Sequence, residues 1–117
     1  MVHGIIYAII DDGYFYIGST TQSVLERLGL HISASKNNSK KSKLYKYINE
    51  IRGGWKDILY ITLENVECIN NKELRNKEYE YIKILIKDPY CLNKISDINT
   101  ENIIKYERFK RKYNIVL

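Results

Sequence analysis

Gly4-Ile5-Ile6-Tyr7-Ala8-Ile9-Ile10-Asp11-Asp12-Gly13-Tyr14-Phe15-Tyr16-Ile17-Gly18-Ser19-Thr20 is the stretch whose reading decides the fold. Ile5 to Ile10 and Tyr14 to Gly18 are short runs rich in β-branched and aromatic residues. Asp12-Gly13 between them is a dipeptide that two-residue hairpin turns favour. Neither run alternates cleanly with polar residues, as befits strands covered on both faces, so helices are expected above and below. An even-numbered loop such as Asp12-Gly13 sets Tyr7 opposite Gly18 and places Tyr16 diagonally on the same face. Lacking a side chain, Gly18 predicts open space beside the Tyr7 ring, bordered by two phenols. Two core tyrosines packed with a glycine are the plainer account of the same residues.

Beyond the second run the pattern turns helical. Ser23 and Glu26 have capping-box spacing, and Val24, Leu25, Leu28 and Ile32 form one stripe, predicting a helix over residues 22–34. Arg27 and His31 lie one turn apart along a border of that stripe. Such a border aims side chains at a cleft edge, where the planar fork of an arginine can grip a phosphate. Taken singly, Arg27 reads better as a solvated helix charge and His31 as a satisfied, half-buried imidazole. A polar loop over 36–42 leads to a second helix over Lys43 to Arg52, which Gly53-Gly54 stops. A third strand is expected over 57–63. Asn70 with Glu73 opens a third helix that runs to about residue 87, ahead of Asp88-Pro89. Residues 92–95 read as short and extended, and residues 101–112 as a basic helix. The order β-β-α-α-β-α with a hairpin first argues an α+β fold rather than a doubly wound parallel sheet.

The third helix carries the sharpest anomaly. Leu74, Tyr81, Ile82, Leu85 and Ile86 define its apolar arc, and Glu78 falls inside it. A carboxylate facing a core is costly unless it is paired or holds a metal. An ion pair with Arg75 on the same side is the structural alternative.

The totals narrow the partners. A chain of 117 residues is one domain, and a net charge of +5 suits an anionic partner, nucleic acid or a membrane surface. No apolar run approaches the roughly 20 residues that span a bilayer. Cys68 and Cys91 have no zinc-site spacing, and with no signal peptide they read as reduced thiols of an intracellular protein. Lys36, Lys40, Lys41, Lys43 and Lys46 form one basic cluster, and Lys105, Arg108, Lys110, Arg111 and Lys112 another. Both are candidate phosphate contacts, set against solubility and composition bias.

Ile5-Ile6-Tyr7, Tyr16-Ile17-Gly18, Arg27, His31, Glu78 and Asn93 together resemble the GIY-YIG nuclease family in order and spacing. Gly53-Gly54-Trp55 resembles the family's usual connection into the third strand. In one place the sequence departs: Ile5 stands where the family has glycine, and Gly4 comes one place early. The resemblance implies a three-stranded antiparallel sheet between helices, and an endonuclease that hydrolyses DNA with one divalent ion, Mg²⁺ or Mn²⁺. It makes Glu78 the metal ligand and Arg27 the phosphate clamp. Tyr7 and Tyr16 would line the site, Tyr7 as the general base. His31 would assist proton transfer or hold Tyr7, and Gly18 and Asn93 would support. A charged His31 is expected to help lower the Tyr7 pKa. The nuclease-like domain would span residues 1–95, with residues 96–117 a basic helical extension of it. That leaves target choice to loops, the terminal helix, a second copy forming a homodimer, or a protein partner. The competing reading is a non-catalytic nucleic-acid-binding module of the same fold.

Overall fold

The computed structural model describes residues 1–36 and 42–93. Strands β1 (Val2–Asp11), β2 (Tyr14–Thr20) and β3 (Leu59–Cys68) form one antiparallel sheet in the order β2-β1-β3. Helix α1 (Val24–Ser35) follows β2, and α2 (Lys43–Lys46) continues without a break into a π-helical stretch (Tyr47–Arg52). Helix α3 (Asn71–Leu85) follows β3. The fold is the expected α+β arrangement of a three-stranded sheet with helices on both faces. The expected C-terminal basic helix, with residues 96–117, lies outside the described residues.

The hairpin is tight because its chemistry allows it. Asp11 pairs with Tyr14, leaving Asp12 and Gly13 as the two turn residues, with φ of 48° and 84°. A turn with both central residues at positive φ matches the strand twist, and Asp and Gly are residues that tolerate it. The register then runs Ile9 to Tyr16 and Tyr7 to Gly18, as the even loop requires.

Period-2 alternation sends β1 into two cores. Tyr7 and Ile9 face Val24 and Leu28 of α1 and Leu44, Tyr47 and Ile48 of the second helix. Ile6 and Ala8 face the other way, with Ile17, Val66, Cys68, and Leu74 and Ile82 of α3. Gly4 belongs to this second face, where an added Cβ would collide with the Leu74 side chain. Its bareness lets α3 lie close on the sheet.

The helices begin where their caps dictate. Ser23 Oγ accepts from Glu26 N at 3.1 Å, and Asn70 Oδ1 accepts from Glu73 N at 3.0 Å. Each satisfies a backbone donor that the first turn leaves open. The second helix ends at Gly53, φ 85°, whose N–H reaches back five residues to the Ile48 carbonyl at 2.8 Å.

The third strand is longer than the expected 57–63, covering Leu59–Cys68. A register shift opposite Ile6/Tyr7 leaves Leu63 as an extra residue, so the alternation breaks in mid-strand. β3 is also an edge strand, and its exposed positions admit Glu64, Asn65 and Glu67, which lie beyond the expected 57–63.

A carboxylate ties the hairpin tip to the second helix. Asp11 accepts from Tyr47 Oη at 2.5 Å and from Arg52 Nε at 3.0 Å. Arg52 also donates to the Gly54 carbonyl and, at 2.6 Å, to the Lys56 carbonyl, fixing the turn before β3. The Tyr47 bond, ahead of Arg52, holds the Asp11 carboxyl below its ordinary range. Burial and the same bond push the Tyr47 phenol up to about 12. Because the folded-state pKa of Asp11 is depressed, its contribution is present above the unfolded value and fades as pH falls through the folded one. Asp11→Asn is expected to lower stability at pH 7 by about 1–2 kcal/mol. Denaturant melts of the two proteins should begin to draw together as pH falls below about 4, the ordinary aspartate range, and converge only below the depressed folded-state value.

Candidate active site

The site is built on one phenol. Tyr7 points from the central strand across Gly18, and a Cβ on Gly18 would overlap the Tyr7 ring and hydroxyl more closely than any real Cβ contact. The space expected beside the ring is filled by the ring itself, which is only 1% exposed. Gly18 therefore serves as the bed of Tyr7.

His31, on α1, completes this arrangement. Its Nε2 lies 2.8 Å from Tyr7 Oη and its Nδ1 lies 2.9 Å from Tyr45 Oη. Trp55 stacks on the imidazole at 6.2 Å between centroids, and Tyr16 meets it edge-on at 5.5 Å. Trp55 is held in turn by an Nε1–H bond to Ser35 Oγ at 2.8 Å. At 2% exposure, His31 is a buried residue rather than the border residue that the helical wheel suggests. Burial, with the charge of Arg27 adding to it, holds its pKa down at about 4. The ring is neutral at pH 7, so the expected charged His31 gives way to a neutral one.

Arg27 and Glu78 act on the same phenol by their charges from opposite layers. Burial raises the Tyr7 pKa above its ordinary value. Arg27 opposes that rise by its charge and a hydrogen bond, while the charges of Glu78 and Tyr45 add to it. Arg27 is half-buried on α1. Glu78 is half-buried on α3, one turn from buried Leu74 and one from buried Ile82. The wheel's anomaly is thus a carboxylate set into the apolar seam, within electrostatic reach of the phenol.

Asn93 stands apart from the charges and acts on the backbone. Its Oδ1 accepts from Ile17 N and its Nδ2 donates to Ile17 O, both at 2.9 Å, with the side chain buried. Phe15 is bonded likewise by the backbone of Tyr90 and Leu92. Residues 90–93 therefore border β2 along Phe15 to Ile17.

An open cleft of about 250 Å³ adjoins the cluster, lined by Ser19, Thr20, Gln22, Arg27, Asn71 and Arg75 among others. Arg27 is shared by the cleft and the Tyr7 cluster. The candidate cations differ in disposition: Lys36 and Lys46 are exposed, whereas Lys43 donates to the Cys91 carbonyl at 2.8 Å. Lys40, Lys41, Arg108, Lys110 and Arg111 lie outside the described residues. Tyr45 and Trp55 are contacts of the imidazole that the sequence pattern does not flag. Tyr45, two residues before core Tyr47 on a short helix, gives no periodic signal there.

Among the described residues no group of three His, Cys, Asp or Glu converges. A divalent ion would have Glu78 as its protein carboxylate and take its other ligands from solvent and phosphate. That donor set fits Mg²⁺, which keeps several waters and takes one or two carboxylates, and it suits Mn²⁺ as a hard-ligand ion. No helix among the described residues is long and apolar enough to cross a membrane.

A buried phenol–imidazole pair flanked by a guanidinium and a carboxylate, beside a cleft with two arginines, has the parts of a site for hydrolysing an anionic ester. Residues 3–90 match the family model of the GIY-YIG catalytic domain, and the chain belongs to that family of nucleases. No curated protein and no solved structure matches the chain.

If Gly18 is the bed of Tyr7, Gly18→Ala must displace the ring, since the obstacle is a buried phenol on a central strand. The expected cost is about 1–3 kcal/mol of stability, the usual scale of overpacking. Loss of the Tyr7–His31 contact should appear as shifted His31 ring resonances in NMR spectra.

Proposed function

We propose that this protein is a divalent-metal-dependent endonuclease that hydrolyses phosphodiester bonds of DNA. The observation that carries the reading is the buried Tyr7–His31 hydrogen bond, on which Arg27 and Glu78 act by their charges from the two layers of the fold. Family membership supports the reaction class, and the +5 net charge suits an anionic polymer.

In this reading Arg27 grips the scissile phosphate from the cleft with charge-assisted hydrogen bonds. It also stabilises negative charge on Tyr7 Oη, which removes a proton from the attacking water as His31 draws the phenolic proton away. Glu78 would hold the divalent ion, which supplies Lewis acidity and positive charge at the phosphate. Tyr16 closes one side of the imidazole, and Asn93 keeps β2 in register beneath it. Arg75, across the cleft, is placed to contact a neighbouring backbone phosphate, a contact that positions without reading sequence. One such site cuts one strand at a time, so cleavage of both strands calls for a second copy or a second encounter.

The deciding experiment incubates purified protein with supercoiled, linear and branched DNA, with Mg²⁺, with Mn²⁺ and with chelator. Metal-dependent nicking is expected, with Glu78→Ala and Arg27→Ala each lowering kcat by about 100-fold or more. Cleavage that survives Glu78→Ala would remove the metal assignment. Binding without cleavage on every substrate would identify a non-catalytic module of this fold. Arg75→Gln should instead raise KM and flatten the salt dependence of binding by about one phosphate contact, with kcat spared.

A further inference from the structure

The two phenols on His31 determine where its ring proton sits. A neutral imidazole has one N–H and one lone pair, so only one nitrogen can donate. The question is settled at Tyr7. Its hydroxyl is buried, and a buried O–H requires an acceptor. Of its hydrogen-bonding neighbours, Arg27 offers donors only, whereas His31 Nε2 stands 2.8 Å away. With Tyr7 Oη–H donating to Nε2, the ring proton would be on Nδ1 and Nδ1–H would donate to Tyr45 Oη, 2.9 Å away.

We propose that Tyr45 is a positioning residue of the site, holding the His31 proton on Nδ1 so that Nε2 stays bare to draw the proton from Tyr7. The ring cannot readily turn over to exchange its nitrogens, because Trp55 stacks on it and Tyr16 meets it edge-on. The neutral state that this arrangement needs is the one burial favours. Tyr45 is itself set by the start of α2, where its backbone N–H bonds Ser42 Oγ at 3.4 Å.

The catalytic consequence rests on the endonuclease reading, whereas the tautomer does not. In the proton step the Tyr7 O–H bond breaks as the Nε2–H bond forms. The phenolate oxygen, beside Arg27, then takes a proton from the attacking water, whose oxygen keeps the electron pair that makes the new P–O bond. The departing ester oxygen leaves with the electrons of the broken P–O bond and is protonated by solvent. After the products leave, the proton on Nε2 returns through Tyr7 to solvent, and both residues are restored.

Nitrogen-15 shifts of the His31 ring in the intact protein test the assignment directly. The wild type should show a protonated Nδ1 and a bare Nε2. Tyr45→Phe, which deletes only the hydroxyl, should mix the two tautomers. It should lower kcat by about 10- to 100-fold, the scale of losing an imidazole's orienting partner, with KM for DNA unchanged. A proton found on Nε2 in the wild type, or a His31 pattern unmoved by Tyr45→Phe, would overturn the proposal. If the wild type cuts no DNA, the endonuclease reading falls, while the nitrogen shifts still decide the tautomer.

Discussion

The contact on which the rest depends is the hydrogen bond between Tyr7 and His31, made possible by the bare backbone of Gly18 beneath the phenol. Tyr7 belongs to the central strand, Gly18 to its neighbour and His31 to the helix that follows. The bond therefore fixes the position of α1 over the hairpin as well as the chemistry of the two rings. Both groups are buried, so neither can readily hold a charge alone. Burial pushes the phenol up and the imidazole down, and in the resting state both are neutral. Arg27 is the group that can tilt this balance, because its charge opposes the cost of a phenolate while further disfavouring a charged imidazole.

The two layers of the sheet divide the labour. The α1 face supplies the rings, their hydrogen bonds and the arginine, packed with Val24, Leu28, Leu44 and Leu92. The α3 face supplies a single carboxylate, carried on the line between Leu74 and Ile82. Gly4 links this layering to the departure in the first tripeptide. A one-residue displacement along a strand moves a position to the opposite face. The glycine thus serves the approach of α3, while Ile5 sits on the Tyr7 face.

Much of the fold is legible in the sequence because it rests on local rules. Asp12-Gly13 fixes the register that puts Tyr7 against Gly18, Ser23 and Asn70 place the helix starts, and a wheel isolates Glu78. What local rules do not carry is enclosure. His31 looks like a border residue on its own helix, and it is buried because Tyr45, Trp55 and Tyr16 arrive from three other segments. The open space at Gly18 is misread for the same reason, since only the three-dimensional path of the Tyr7 ring shows what fills it. The third strand is read short because an edge strand with a mid-strand bulge loses the alternation that strand recognition depends on.

Asn93 gives the sheet an asymmetry. One side chain supplies both the donor and the acceptor that a neighbouring strand would offer Ile17, and Tyr90 and Leu92 do the same for Phe15. The edge along Phe15 to Ile17 is therefore already occupied, so an approaching extended segment finds no open ladder there. The backbone of β2 is thereby shielded from the intermolecular pairing to which bare sheet edges are prone.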